Sequence, residues 1–286
     1  MDNAKVIDIR LLLDECIFLP YNIQEHGIIR LIVDDYLEHE LPVFIPDVIY
    51  ADKETMNRGL GYLYNTIQSL NHGLYGACLG GHLELVELMI SKGANDWDWG
   101  LCGACRGGHL EIVELMISKG VDDWNGGLHN ACLGGHLELA QLMISKGANY
   151  WNWGLYGACE GGHLELAELM ISKGANDLGG GFHNACREGH IDLAQFMISS
   201  GANDWNRGLI GACLGGHLEL AKLMISKGAN GWYRGLYGAC EGGHLELAQL
   251  MISKGISKDK IRKCLSKQDA DTTTNDIIVY LKSQIE

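Results

Sequence analysis

The pair Gly-His recurs at His82, His109, His136, His163, His190, His217 and His244, and every interval is 27 residues. A fixed period of this length marks a repeat array, in which each unit is one supersecondary element stacked on its neighbours. Seven copies place the array at 67–255, leaving a non-repeating stretch, 1–66, and a tail, 256–286. Proline follows the same division: Pro20, Pro42 and Pro46 are the only three, and all precede the array.

Each copy predicts two helical stretches. In the second, Leu85, Leu88 and Met89 stand at i, i+3 and i+4 and form an apolar stripe, and Gly93 stops the helix. The first, Leu74 to Leu79, reads as short and Gly-rich, with a Gly-Gly-His turn between the two. Neither helix can bury its stripe alone, so stacking into a solenoid is required. The columns of Leu74, Ala77, Cys78, Gly81, His82, Leu83, Leu85, Leu88, Met89 and Ile90 hold fixed among copies and read as core and turn. The columns of residues 68–72, 75, 79 and 87 vary and read as surface.

One pair of columns covaries. Where Trp99, Trp153, Arg207 or Arg234 is large, the residue four later is Gly103, Gly157, Gly211 or Gly238, and His72 with Gly76 fits. Where the first is Gly126 or Gly180, the later one is Asn130 or Asn184. A spacing of four shares one helical face, so a size exchange within that helix is one reading. Shared ancestry of the two Gly/Asn copies is the other.

The stretch Gly-Ala-Cys-Glu-Gly-Gly-His-Leu-Glu-Leu-Ala-Glu-Leu-Met-Ile-Ser-Lys-Gly-Ala-Asn (157–176) resembles the ankyrin repeat: a small-residue pair, Gly-His, then an amphipathic helix ending in Gly-Ala-Asn. The resemblance covers all seven copies. The usual unit is about 33 residues, so each copy is short by roughly six, where the family has its β-hairpin. The family's Thr-Pro-Leu-His opening is replaced by Trp-Gly-Leu-Tyr (153–156) or Arg-Gly-Leu-Ile (207–210). The resemblance therefore implies an all-α, ankyrin-like helix-turn-helix solenoid with shortened or absent β-hairpins. Near-identical, shortened arrays of this kind look like the ankyrin expansions of large DNA viruses, which would imply a host cytoplasm.

Candidate sites sort by column. Seven of the ten cysteines (Cys78, Cys105, Cys132, Cys159, Cys186, Cys213 and Cys240) share one column. Stacked helices lie about 8–10 Å apart, too far for neighbouring copies of such a column to bridge, so these read as small buried residues in a reducing compartment. Cys78 and His82, and their copies, stand at i, i+4. A structural zinc site needs four ligands and each copy supplies two, so no metal is expected. The resemblance makes the seven Gly-His histidines hydrogen-bonding braces.

Trp97, Trp124, Trp151, Trp205 and Trp232 align in the turns between copies, with Leu178 in their place once, and Trp99 and Trp153 add a second row. They either pack between turns or form a recognition stripe, since Trp, Tyr and Arg dominate binding hot spots. Recognition is favoured for Trp99, Trp153, Arg207, Tyr233 and Arg234, because that region varies. Two first-helix columns also change character: Tyr75, Cys102, His129, Tyr156, His183, Ile210 and Tyr237, then Leu79, Arg106, Leu133, Glu160, Arg187, Leu214 and Glu241. In ankyrin proteins the turns and first helices form the concave partner surface, so the resemblance makes these columns the candidate binding face. The alternative is drift on a solvated face.

In 1–66, Val6–Leu13 and Gly27–Leu37 read as helices and Gly59–Leu70 as a degenerate repeat. The stretch is either a cap, which solenoids require, or a docking module such as an F-box-like adaptor serving a ubiquitin ligase. In 256–286, Lys258–Gln268 reads as one helix, and Thr272–Thr274 as the cap of a second bearing Ile277, Ile278, Leu281 and Ile285.

The net charge of -14 and the lack of a strong basic patch argue against nucleic acid. Only Lys258, Lys260, Arg262 and Lys263 cluster. No run approaches the ~20 apolar residues that cross a membrane. The N-terminus lacks the basic and apolar regions of a signal peptide, so a cytoplasmic, non-secreted chain is expected. No phosphate loop, metal cluster, cofactor motif or triad appears, and a near-uniform repeat offers no single place for an acid, base or nucleophile. The sequence reads as a monomeric, non-enzymatic scaffold that binds a protein partner.

Overall fold

The computed structural model describes residues 70–267 and 275–285. The chain divides into two compact units, Met1–Asp122 and Asp123–Glu286. The first holds a helix described over 70–80 (α1), then α2 (Leu83–Ser91), α3 (Trp97–Gly107) and α4 (Leu110–Ser118). The second opens with α5 (Trp124–Gly134), α6 (Leu137–Ser145), α7 (Trp151–Gly161) and α8 (Leu164–Lys173). It continues with α9 (Leu178–Glu188), α10 (Ile191–Ser199), α11 (Trp205–Gly215) and α12 (Leu218–Ser226). It ends with α13 (Trp232–Glu241), α14 (Leu245–Ser253), α15 (Lys258–Leu265) and α16 (Asn275–Ser283). Among the described residues every regular element is a helix and no strand occurs. The all-α helix-turn-helix repeat expected from sequence is the fold the described residues adopt. None of these helices is long and apolar enough to cross a membrane.

The first helix of each copy is longer than its glycines suggest. Helix α3 has 11 residues and starts at Trp97, although each interior glycine costs roughly 0.8–1 kcal/mol of helix propensity. A cap offsets part of that cost. The Asp96 carboxylate accepts the Trp99 N–H at 3.0 Å, and Asp123, Asp177 and Asp204 do the same for Gly126, Gly180 and Arg207. Such a cap is worth about 1 kcal/mol. The helix stops at Gly108, whose φ of 83° is left-handed and strains any side chain.

Packing supplies the rest. Leu101, Ala104 and Cys105 of α3 and Ile112, Val113 and Met116 of α4 are at most 2% exposed. Full burial of a Leu or Met contributes roughly 1.5–3 kcal/mol. A Cβ at Gly154 would lie 2.5 Å from Met170 Sδ, and one at Gly100 would lie 2.8 Å from Met116 Sδ. The methionine of each second helix thus lies across a glycine of the first, which accounts for both columns. Not every fixed apolar column is core. Leu110, Leu164 and Ile191, in the column of Leu83, are 48%, 41% and 49% exposed. They open their second helices, where the side chains reach the surface. The inward stripe is Leu85, Val86 and their equivalents with methionine, whereas Leu88 is half-buried.

Five residues, 92–96, join α2 to α3, with no hairpin. The turn is held by a side chain of the copy before it. Asn71 Oδ1 accepts the N–H groups of Asn95 and Asp96 at 2.9 and 3.1 Å. Asn125 accepts those of Asn149 and Tyr150, Asn152 those of Asn176 and Asp177, and Asn206 those of Asn230 and Gly231. One side-chain oxygen thereby satisfies two backbone donors, the duty that falls to backbone partners in a hairpin.

In the tail, α15 ends at Leu265 rather than Gln268, and Ile261 and Cys264 face inward. On α16, Ile277 and Leu281 are fully buried at i, i+4, while Ile278 and Ile285 stay half-exposed. The readings for 1–66 and the cap at 272–274 lie outside the described residues.

Candidate recognition surface

Trp97, Trp124, Trp151, Trp205 and Trp232 do not sit in turns. Each is the first residue of a first helix, and each is half-buried. Their contacts are intramolecular: the Lys119 ammonium lies 5.9 Å from the Trp97 ring, and Phe182 meets Trp205 edge-on at 6.1 Å.

Two positions on, the geometry reassigns the covariation. Trp153 and Gly157 do share a face, the one turned to the preceding first helix. The nearest atoms to a Cβ at Gly157, however, are His129 O at 2.4 Å, His129 Nδ1 and Leu133 N. At Gly211 and Gly103 they begin with His183 O at 2.5 Å and Tyr75 O at 2.6 Å. These glycines make room for a neighbour's backbone rather than for the large side chain of their own helix. In a Gly/Asn copy, the Asn184 amide instead donates to Tyr156 O at 3.4 Å.

The size exchange runs between copies, across 24 residues. Trp99 stacks on Tyr75 at 5.0 Å and meets His72 edge-on at 4.6 Å. Trp153 stacks on His129 at 5.0 Å. Tyr156 is large and faces Gly180, where a Cβ would lie 2.5 Å from its ring. His129 Nδ1 bonds Trp153 O at 2.9 Å, and His183 Nδ1 bonds Arg207 O at 3.1 Å. A carbonyl only accepts, so these nitrogens carry the proton.

Tyr156, Asp177 and Arg207 form a second cluster. The Tyr156 hydroxyl donates to Asp177 Oδ2, and Arg207 Nη1 lies 3.3 Å from Oδ1. Burial, then the Asp177 carboxylate, pushes the Tyr156 phenol up to about 12. The phenol's hydrogen bond, with lesser help from Gly180 N–H and Arg207, holds Asp177 below the usual carboxylate range. Arg187 bridges Glu160 at 3.3 Å and Glu188 at 2.6 Å. Arg106 and Ile210 are half-buried and Glu241 is exposed. Sequence reasoning missed Tyr150, 62% exposed beside Trp153 at 40%. Its signal was a break in the Asp column at the helix cap. It also missed Asp177, Lys267 and the placement of Lys260: the Lys260 ammonium lies 6.0 Å from the Tyr233 ring, and Lys267 lies 5.9 Å from that of Tyr237.

The histidine and cysteine columns lie deeper. His82, His109, His136, His163, His190, His217 and His244 each immediately precede a second helix. Nε2 of His109, His190 and His244 bonds the carbonyls of Leu79, Glu160 and Leu214, 30 residues back, at 3.0–3.1 Å. Burial lowers the His163 pKa, against the bond to the Leu133 carbonyl. All seven column cysteines are buried and unbridged. Burial pushes the thiols of Cys78, Cys132, Cys159, Cys186 and Cys213 up to about 12. Cys105 is raised as well, chiefly by burial. Cys240 is raised first by its contact with Cys264, 3.8 Å away. A buried thiol held protonated is neither nucleophile nor metal ligand. Among the described residues no three His, Cys, Asp or Glu side chains could together hold a metal ion.

Residues 74–152 match the family profile of ankyrin repeats, in three copies. Among solved structures, the crystal structure of the human ASB11 ankyrin repeat domain aligns at 20% identity with a TM-score of 0.42. The alignment covers 64% of this chain and 96% of that one. Comparison with curated proteins finds no match.

Proposed function

We propose that the array is a recognition scaffold for a protein partner, since residues 74–152 match the profile of ankyrin repeats, a class of module generally used for protein–protein interaction. The partner lies across the first turns and outward faces of the first helices. One observation carries this reading: the buried columns repeat from copy to copy, while the outward positions of the first helices differ and leave large aromatics in solvent. Tyr150, Trp153 and Tyr237 are 62%, 40% and 36% exposed. Exposed aromatics are among the residue types that anchor interfaces.

The test is quantitative capture from cell lysate by the full chain and two variants. Tyr150→Ala/Trp153→Ala/Tyr237→Ala strips the outward row. Glu111→Ala/Glu168→Ala alters exposed positions on second helices. Loss of captured protein only in the first variant supports the reading, whereas equal capture by both refutes it. Ubiquitin-ligase subunits retained by both variants would point to docking through 1–66 instead.

A further inference from the structure

The last copy and the tail flank an open hollow of about 400 Å³ between the first turns of α13 and α15. Its lining includes Trp232, Tyr233, Arg234, Ser257 and Lys260, and no acidic residue. That is unexpected in a chain of net charge -14. Arg187 and Arg207 lie 3.3 Å from Glu160 and Asp177. Arg234 is exposed and makes no ion pair among the described residues. Lys260 is placed over the Tyr233 ring at 6.0 Å and is likewise without a carboxylate. The helix-cap column explains part of the contrast: Asp96, Asp123, Asp177 and Asp204 fill it in other copies, but Gly231 stands here and makes no side-chain cap.

We propose that this hollow receives a carboxylate or phosphate group carried by an acidic segment of the protein partner. The proposal rests on the recognition reading above and gives its partner a chemistry. Arg234 supplies the planar fork that grips a carboxylate or phosphate with two parallel bonds, and Lys260 supplies a second point charge. Trp232 and Tyr233 offer apolar walls to the flanking residues of the segment. The two cations stand on different helices, so a segment entering between them is held from both sides.

The experiment uses the 15N-labelled full chain, read at the Trp232 indole signal. A hexaglutamate peptide and inorganic phosphate are titrated separately at constant ionic strength. The expected result is a saturable shift with the peptide, weakened about tenfold or more by Arg234→Gln or by Lys260→Gln. Arg207→Gln should leave the affinity within about twofold, since that guanidinium faces Asp177. Gly231→Asp restores the carboxylate that Asp96, Asp123, Asp177 and Asp204 supply in other copies. It should raise Tm, as a helix cap does, while abolishing the shift, so loss of binding is separated from loss of fold. No saturable shift, or a shift indifferent to Arg234→Gln, overturns the proposal. A response to phosphate without one to the peptide also overturns it, because the hollow would then take a free anion. The scaffold reading fails separately, on the capture experiment with Trp153.

Discussion

Substituting Gly157 by Ala separates the two explanations of the covarying columns. The added Cβ would lie 2.4 Å from His129 O, about 1 Å short of ordinary contact. The obstacle is the backbone of a packed neighbouring helix, which cannot swing aside, so the overpacking cost belongs in the upper half of the usual range, about 2–3 kcal/mol. Alanine returns roughly 0.8–1 kcal/mol of helix propensity. The net expectation is a loss of about 1–2 kcal/mol. Gly238 occupies the same column, but its Cβ would meet Ile210 O at 3.1 Å, a deficit of a few tenths of an ångström. There propensity wins, and Gly238→Ala should be neutral or stabilising by up to about 0.5 kcal/mol. Urea unfolding followed by tryptophan fluorescence reads both. A third variant, Trp153→Ala with Gly157→Ala, completes the test. If the glycine made room for Trp153 in its own helix, removing the indole would rescue the alanine. The structure predicts no rescue, because the His129 carbonyl remains. Rescue by Trp153→Ala, or equal effects at 157 and 238, would mean that the glycine answers to its own helix and not to the His129 carbonyl.

Three other outcomes follow from the geometry. Thiols at about 12 in the fold against an ordinary 9.0 keep their full stabilising effect below about pH 9 and lose it as pH rises toward 12. At pH 10 each should cost about 1.4 kcal/mol, so Cys159→Ala/Cys186→Ala should flatten the alkaline fall of urea midpoints in reductant; parallel curves would contradict this. Asp177→Ala should bring the Tyr156 phenol, at about 12, back toward 10, read by its ultraviolet titration; the return is partial because burial persists, and an unchanged titration would deny the contact. Asn152→Ala leaves the N–H groups of Asn176 and Asp177 without their acceptor, at a cost of about 0.5–1.5 kcal/mol because water reaches both; at Gly179, which bears no side chain in the same column, Gly179→Asn should not gain as much, because Arg207 Nη1 stands 2.9 Å from its Cβ.

The period, the second helices and the buried Leu, Ala, Cys and Met columns were legible because burial imposes the same residue at the same place in every copy. The first helix was read too short, because Gly100, Gly103 and Gly107 depress local propensity while the forces that restore it, the Asp96 cap and the contacts of Met116 and Tyr75, come from elsewhere. For the same reason Trp97 and its column looked like turn residues. Covariation between Trp153 and Gly157 was real, yet one chain read in isolation could not show that both positions answer to His129 in the copy before. Tyr150 was hidden in a turn, where only comparison with the Asp column exposes it. The hollow at Arg234 depends on Lys260, which stands on a tail helix whose sequence has left the repeat pattern.

Asn71, Asn125, Asn152 and Asn206 each reach 24 and 25 residues ahead, and His109, His190 and His244 each reach 30 residues back. Each offset therefore lands in an adjacent copy. If one of these units is duplicated or excised in frame, its asparagine oxygen meets the same backbone N–H groups, and its histidine the same backbone carbonyl, in the new neighbour, so the array can lengthen or shorten by recombination without a mismatched junction. Copies that have diverged, with Gly179 in place of asparagine or Gly231 in place of aspartate, carry their peculiarities with them. Reach and specificity can then be altered by shuffling whole units, well before any single residue need change.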